Sequence, residues 1–148
     1  MKSNNQHPFK KILVALDISD QTELVIQTAA YLINALNASA EVVTVVNVPT
    51  HSPGNEMDGT PANKDENQLR EDLISRLHPY FTDEEIRKLE MKVLHGDPSE
   101  RITEYADHSQ CDLIVLGSRS QGALKKAILG SVSGSVVAKS KKSVLIVK

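Results

Sequence analysis

Five short segments of this chain are dense in apolar residues: KILVALD (Lys11–Asp17), AEVVTVVNV (Ala40–Val48), EMKVLHG (Glu90–Gly96), CDLIVLG (Cys111–Gly117) and SVLIVK (Ser143–Lys148). Strands buried on both faces give runs of this kind rather than strict alternation, so each segment is read as a strand. Between them the apolar positions change to helical spacing. In DQTELVIQTAAYLINALN, residues Leu24, Ile26, Ala29, Ala30, Ile33 and Leu36 mark one face of a helix. Asp20 and Glu23 stand at capping-box distance at its start, with Ser19 as a competing cap. ENQLREDLISRLHPY and TDEEIRKL, the second capped by Thr82, continue the helical pattern. DPSERITEYADHS places Asp97 as N-cap and Pro98 in the first turn, and GSVSGSVVAKS supplies a last helix. Residues 49–64, PTHSPGNEMDGTPANK, hold three prolines and two glycines and are expected to form a flexible surface loop.

Strands that alternate with helices predict an α/β domain: a five-stranded parallel sheet in a three-layer, doubly wound fold. At 148 residues, one domain spanning 1–148 is expected. Such sheets bind ligands beyond the carboxyl ends of the strands, where the strand order reverses. In the order 3-2-1-4-5 the first and fourth strands are neighbours at that reversal. Asp17 and the turn at Gly117 would then share one crevice.

Composition narrows the function classes. A formal net charge of -2 argues against a general polyanion binder, and an aromatic content of 3% leaves few stacking platforms for single-stranded nucleic acid. Cys111 is the sole cysteine, which excludes an intrachain disulfide and a cysteine-based zinc site, and it reads as a small buried hydrophobe. The five histidines, at 7, 51, 78, 95 and 108, lack metal-ligand spacing, and His95 reads as a partly exposed polar residue. No apolar run approaches 18 residues and MKSNNQHPFKK lacks a signal-peptide core, so a soluble cytoplasmic protein with no membrane contact is expected. Charge is unevenly spread: residues 113–148 carry seven basic side chains (Arg119, Lys125, Lys126, Lys139, Lys141, Lys142, Lys148) and no acidic one. That concentration is expected to present an anion-facing field around LGSRSQGALKKAILGSVS.

The same stretch raises the question of phosphate. Gly117 and Gly122 have the spacing of half a P-loop, but Ala123 and Leu124 stand where that motif needs Lys and Ser or Thr. A dinucleotide fingerprint is absent as well, because ALDISDQ contains no glycine. There remains a glycine turn after a strand, a basic connection, and Gly130-Ser131 opening a helix. Its N-terminal amides, a hydroxyl of Ser131 or Ser133, and Lys125 and Lys126 would make a phosphate cradle. The alternative is that Gly117 and Gly130 merely permit tight turns.

KILVALDISD, HGDPSERITEYADHSQCDLIVLGSRS and KKAILGSVSGSVVAKSKKSVLIVK together closely resemble universal stress proteins, over nearly the whole chain. Nucleotide-binding members carry G-x2-G-x9-G-[S/T]; this chain reads G-x2-S-x9-G-S, from Gly117 through Ser120 to Gly130-Ser131. The resemblance implies a fold like that of the adenine nucleotide alpha hydrolases with strand order 3-2-1-4-5, a homodimer through the last strand, and bound ATP, with magnesium. It implies a stress-response or regulatory role with slow hydrolysis at most. By the same resemblance, Asp17 lies near the ribose or metal, Val48 meets the adenine, and Gly96 flanks the nucleotide beside Asp97. Gly117 forms the ribose and phosphate turn, Arg119 and Ser120 follow it, and Gly130, Ser131, Val132 and Ser133 cradle phosphate. Ser120 is the departure. Either its hydroxyl donates to phosphate, or its Cβ obstructs the backbone approach that glycine allows, leaving a nucleotide-free dimeric interaction module.

Overall fold

The computed structural model describes residues 8–17, 21–47, 62–118 and 129–148. Its elements run β1 (Lys11–Ala15), α1 (Thr22–Leu36), β2 (Ser39–Val46), α2 (Ala62–Leu77), α3 (Asp83–Lys88), β3 (Glu90–His95), α4 (Pro98–Ser109), β4 (Leu113–Gly117), α5 (Ser131–Lys139) and β5 (Ser143–Val147). All four strand pairings are parallel, and the order is β3-β2-β1-β4-β5. The expected α/β architecture and strand order are therefore observed. Each strand is shorter than its apolar run, because residues such as Leu16 and Cys111 are buried beside the sheet without lying in a strand. The loop expected over 49–64 ends inside a helix, since α2 begins at Ala62; residues 49–61 lie outside the described ones.

The pleat divides the core into two layers. Ile12, Val14, Val42, Leu113 and Val115 face α1, α2 and α3, where they pack on Val25, Ile26, Ala29, Leu73, Leu77 and Ile86. Leu13, Val43, Ile114 and Leu116 face the other way, onto Ile102 and Ala106 of α4 and Val136 of α5. β1 is central and completely covered, so its residues have no polar face to show. Its amino end is tied across the chain, where the amides of Lys10 and Lys11 both donate to Asp112 Oδ2, at 2.8 and 2.9 Å.

A charged cluster lies inside the α4/α5 layer at the amino ends of the strands. Glu41 of β2 is buried, and its Oε1 sits 2.6 Å from Lys11 Nζ, which also donates to the carbonyl of Ser109. Tyr105 of α4 lies beside the same carboxylate, and its hydroxyl ionises well above the ordinary range, through burial first and Glu41 second. Glu41 Oε2 is buried and has no hydrogen-bond partner among the described residues. Cys111 lies nearby as a buried thiol whose ionisation burial pushes up, in keeping with a small core residue.

The helix caps are partly as expected. Thr82 and Glu85 form a reciprocal capping box on α3, and Asp97 caps α4 by accepting from the amide of Glu100, with Pro98 in the first turn. On α1 the outcome differs: Gln21 is the N-cap, one residue later than an Asp20–Glu23 box requires, and it makes no side-chain cap. Ser19 and Asp20 lie outside the described residues.

Asp97 yields a pH prediction. The Glu100 amide, and then the Ser99 hydroxyl, hold its carboxyl below the usual range by favouring the charged form. Its contribution is thus present above the unfolded-state value near 3.9 and is lost as pH falls through that value and below it. Asp97→Ala is expected to cost about 1 kcal/mol at neutral pH. Asp97→Asn is expected to keep most of the cap while flattening the acid limb of the stability curve. Urea melts between pH 3 and 7 measure both effects.

Candidate crevice at the carboxyl ends of the strands

The carboxyl ends of β1, β2 and β4 open into a cavity of about 170 Å³. Its inner wall is apolar: Val43 and Val45 of β2, Leu116 of β4, Pro98 and Ile102 of α4, and Val132 of α5. The polar groups cluster on the opposite side, from Asp17 just past β1, Gln21 and Thr22 at the start of α1, and Gly117. β1 and β4 flank the point where strand order reverses, which is the usual place for a ligand in such a sheet.

Local structure fixes this rim. The amide of Leu16 donates to the carbonyl of Val43 at 2.9 Å, carrying β1's pairing one residue past the strand and setting where Asp17 emerges. Thr22, completely buried, donates its hydroxyl to the Asp17 carbonyl and lies 3.2 Å from Asp17 Oδ1. Gln21 Oε1 is buried without a hydrogen-bond partner among the described residues. A Cβ at Gly117 would come within 3.3 Å of Val25 Cγ2, so the glycine permits α1 to pack closely over the end of β4.

The connection from β4 to α5 is closed by hydrogen bonds at its two ends. The amide of Gly130 donates to the carbonyl of Ser118 at 2.8 Å, and the Ser118 amide donates to the carbonyl of Val147 at 2.9 Å. Ser133, buried in α5, donates its hydroxyl to the Gly130 carbonyl at 3.1 Å and reaches the Ser118 carbonyl at 3.5 Å.

Of the residues singled out from sequence, Asp17, Gly117 and Val132 come together on the crevice wall. Gly130, Ser131 and Ser133 open α5 beside it without lining the cavity. Gly96 also stands off the lining: it has φ +130°, where a side chain would be strained, and its amide donates to the Val46 carbonyl. Val48, Arg119 and Ser120 lie outside the described residues. His95 faces elsewhere, with Nε2 2.5 Å from Glu66 Oε1 of α2. Sequence reasoning passed over Gln21 and Thr22, because a threonine in the first turn of a helix carries no motif.

None of the described basic residues of 113–148 lines the crevice. Lys141 and Lys142 lie in the turn before β5, at the amino ends of the strands; Lys139 closes α5 within electrostatic reach of Asp97, and Lys148 follows the carboxyl end of β5. Arg119, Lys125 and Lys126 lie outside the described residues. Among the described residues, no group of three metal-ligating side chains converges and no helix is long and apolar enough to cross a membrane.

A model of the universal stress protein family matches residues 8–148. The stress response protein NhaX of Bacillus subtilis is 52% identical over 59 residues, which is 40% of this chain and 36% of that protein. A universal stress protein solved in complex with cAMP superimposes with a TM-score of 0.70 at 23% identity, covering 95% of this chain and 98% of that one. One from Archaeoglobus fulgidus in complex with dAMP gives a TM-score of 0.66 at 23% identity, over 96% of this chain and 100% of the other. At such identities the likeness to the two structures is one of fold.

Proposed function

Because this chain belongs to the universal stress protein family, we propose that it is an adenine-nucleotide-binding regulatory module that holds ATP with little or no turnover. The observation that carries this reading is the crevice itself: an apolar wall of Val43, Val45, Ile102 and Val132 faces a polar rim of Asp17, Gln21 and Thr22 at the point of strand reversal. A flat base suits the wall and a sugar suits the rim. The phosphates would extend toward Gly130 and Ser131, where the first amides of α5 face an anion favourably. Structures of relatives with cAMP and dAMP support the choice of adenine nucleotide.

Asp17 is the one carboxylate on the described lining. That donor set suits Mg²⁺ arriving with the phosphates, which supply most of its oxygens, rather than a protein cage. With Asp17 engaged by sugar or metal, the described lining offers no second titratable group to activate a water, so we read the ligand as held rather than consumed. One domain over 1–148 and a cytoplasmic location belong to the same reading. Titration with Mg-ATP by calorimetry is expected to saturate in the micromolar to millimolar range. Absence of heat at millimolar ATP, with no nucleotide released on denaturing the purified protein, would remove the reading. It would favour a nucleotide-free dimeric interaction module, to which one observation already leans: the Ser133 hydroxyl is spent on backbone carbonyls.

We also propose a homodimer through β5. The two sheet edges differ: Arg70 Nη1 of α2 covers β3 by donating to the Met91 carbonyl, and α2 is further tied to β3 by Glu66 and His95. β5 carries Val144, Leu145 and Ile146 only partly buried. An apolar, uncovered edge favours pairing with its own copy. The Val147 carbonyl points to β4, so by alternation the amides of Val144 and Ile146 point outward. Ile146→Pro should therefore leave the sheet intact and abolish the dimer. Sedimentation should show a wild-type dimer and a folded monomeric variant at micromolar concentration; a monomeric wild type refutes the proposal.

A further inference from the structure

We propose that Thr22 is a positioning residue that fixes the Asp17 carboxylate to receive the sugar hydroxyls of the ligand; this rests on the nucleotide reading above. Asp17 is exposed at the mouth of the crevice. Thr22 is 1% exposed and lines the same crevice; its hydroxyl donates to the main-chain carbonyl of Asp17, with Oδ1 as a further contact at 3.2 Å. A buried hydroxyl must keep a partner, and a β-branched side chain has little χ1 freedom with which to find another. Thr22 thereby holds the Asp17 backbone and keeps its carboxylate in place before any ligand arrives.

The placement has a structural cause. α1 starts with Gln21 as N-cap and no side-chain cap, so the first helical residue is Thr22, and its side chain reaches back toward the end of β1. Leu16 is held on Val43, which fixes the other end of the same short connection. A carboxylate confined in this way accepts from a vicinal diol with less ordering cost at binding. The chemistry selected is a ribose bearing its hydroxyls, and Thr22 contributes to affinity only when those hydroxyls are present.

The test compares wild type, Thr22→Val and Thr22→Ser with ATP and with 2′,3′-dideoxy-ATP. Thr22→Val is expected to lose about tenfold in affinity for ATP, as for removal of a hydrogen bond to a charged group, and nothing for the dideoxy nucleotide. Thr22→Ser restores the hydroxyl and should bind ATP within about threefold of wild type. Equal losses on both nucleotides would mean a purely structural role and overturn the proposal, as would wild-type affinity of Thr22→Val for ATP. A wild type that binds the two nucleotides equally removes Asp17 from the sugar and overturns it too. A wild type that binds neither overturns the nucleotide reading and this proposal together. Should Thr22→Val fail to fold, Thr22→Ala is carried through the same comparison.

Discussion

Lys11→Met lowers the unfolding free energy by about 3 kcal/mol, among the largest losses expected from a single change at a polar position. The expectation follows from asymmetry in burial. The Glu41 side chain is 9% exposed, while that of Lys11 is 30% exposed. Removing the ammonium leaves a carboxylate inside the α4/α5 layer, with Oε2 already lacking a partner among the described residues. Breaking a fully buried pair costs about 3–5 kcal/mol, and the partial exposure of Lys11 places this one at the lower end. The double variant Lys11→Met/Glu41→Leu should recover most of the loss, because it removes the charge together with its partner. Urea melts of both variants decide the matter. A Lys11→Met loss below about 0.5 kcal/mol would put the pair among ordinary surface bridges.

Val132→Phe is expected to weaken ATP binding by about a hundredfold while costing the fold less than about 1 kcal/mol. Val132 is the second residue of α5, half-buried, and shares the apolar wall with Pro98 and Ile102 of α4. A cavity of about 170 Å³ has little room to give up. A phenyl ring there competes directly with the base and fills apolar space the protein otherwise leaves open, which explains the small effect on stability. Val137→Phe is the control. It adds the same volume on the same helix at a residue that is 45% exposed, and should leave affinity unchanged. If Val132→Phe binds ATP like wild type in calorimetry, the base does not occupy this wall.

The sheet was legible because parallel strands covered on both faces leave an uninterrupted apolar trace, and β1 and β4 are nearly uniform in this respect. The caps of α3 and α4 were legible because Thr82 and Asp97 act on residues that follow them directly. α1 was misread at its start because Thr22 bonds backward to Asp17, which a forward-looking capping rule does not consider. Glu41 was invisible: within a β-branched run nothing separates a surface acid from a buried one, and its partner lies thirty residues away in β1. Of the basic stretch, Lys141 and Lys142 follow α5 into the turn before β5, away from the crevice, while Arg119, Lys125 and Lys126 lie outside the described residues. In the crevice, position at the strand ends accounted for Asp17 and Gly117 and the family resemblance for Val132, but neither pointed to Gln21 or Thr22.

The position of β1 has a consequence during synthesis. Its partner on one side, β2, follows almost at once, but on the other side Ile12 pairs with Leu113, and Asp112 ties down Lys10 and Lys11. A chain growing from its N-terminus therefore carries an apolar strand with one raw edge until β4 has left the ribosome. For most of translation this central strand of the finished protein is left with an adhesive edge, and this interval is when the chain most needs a chaperone.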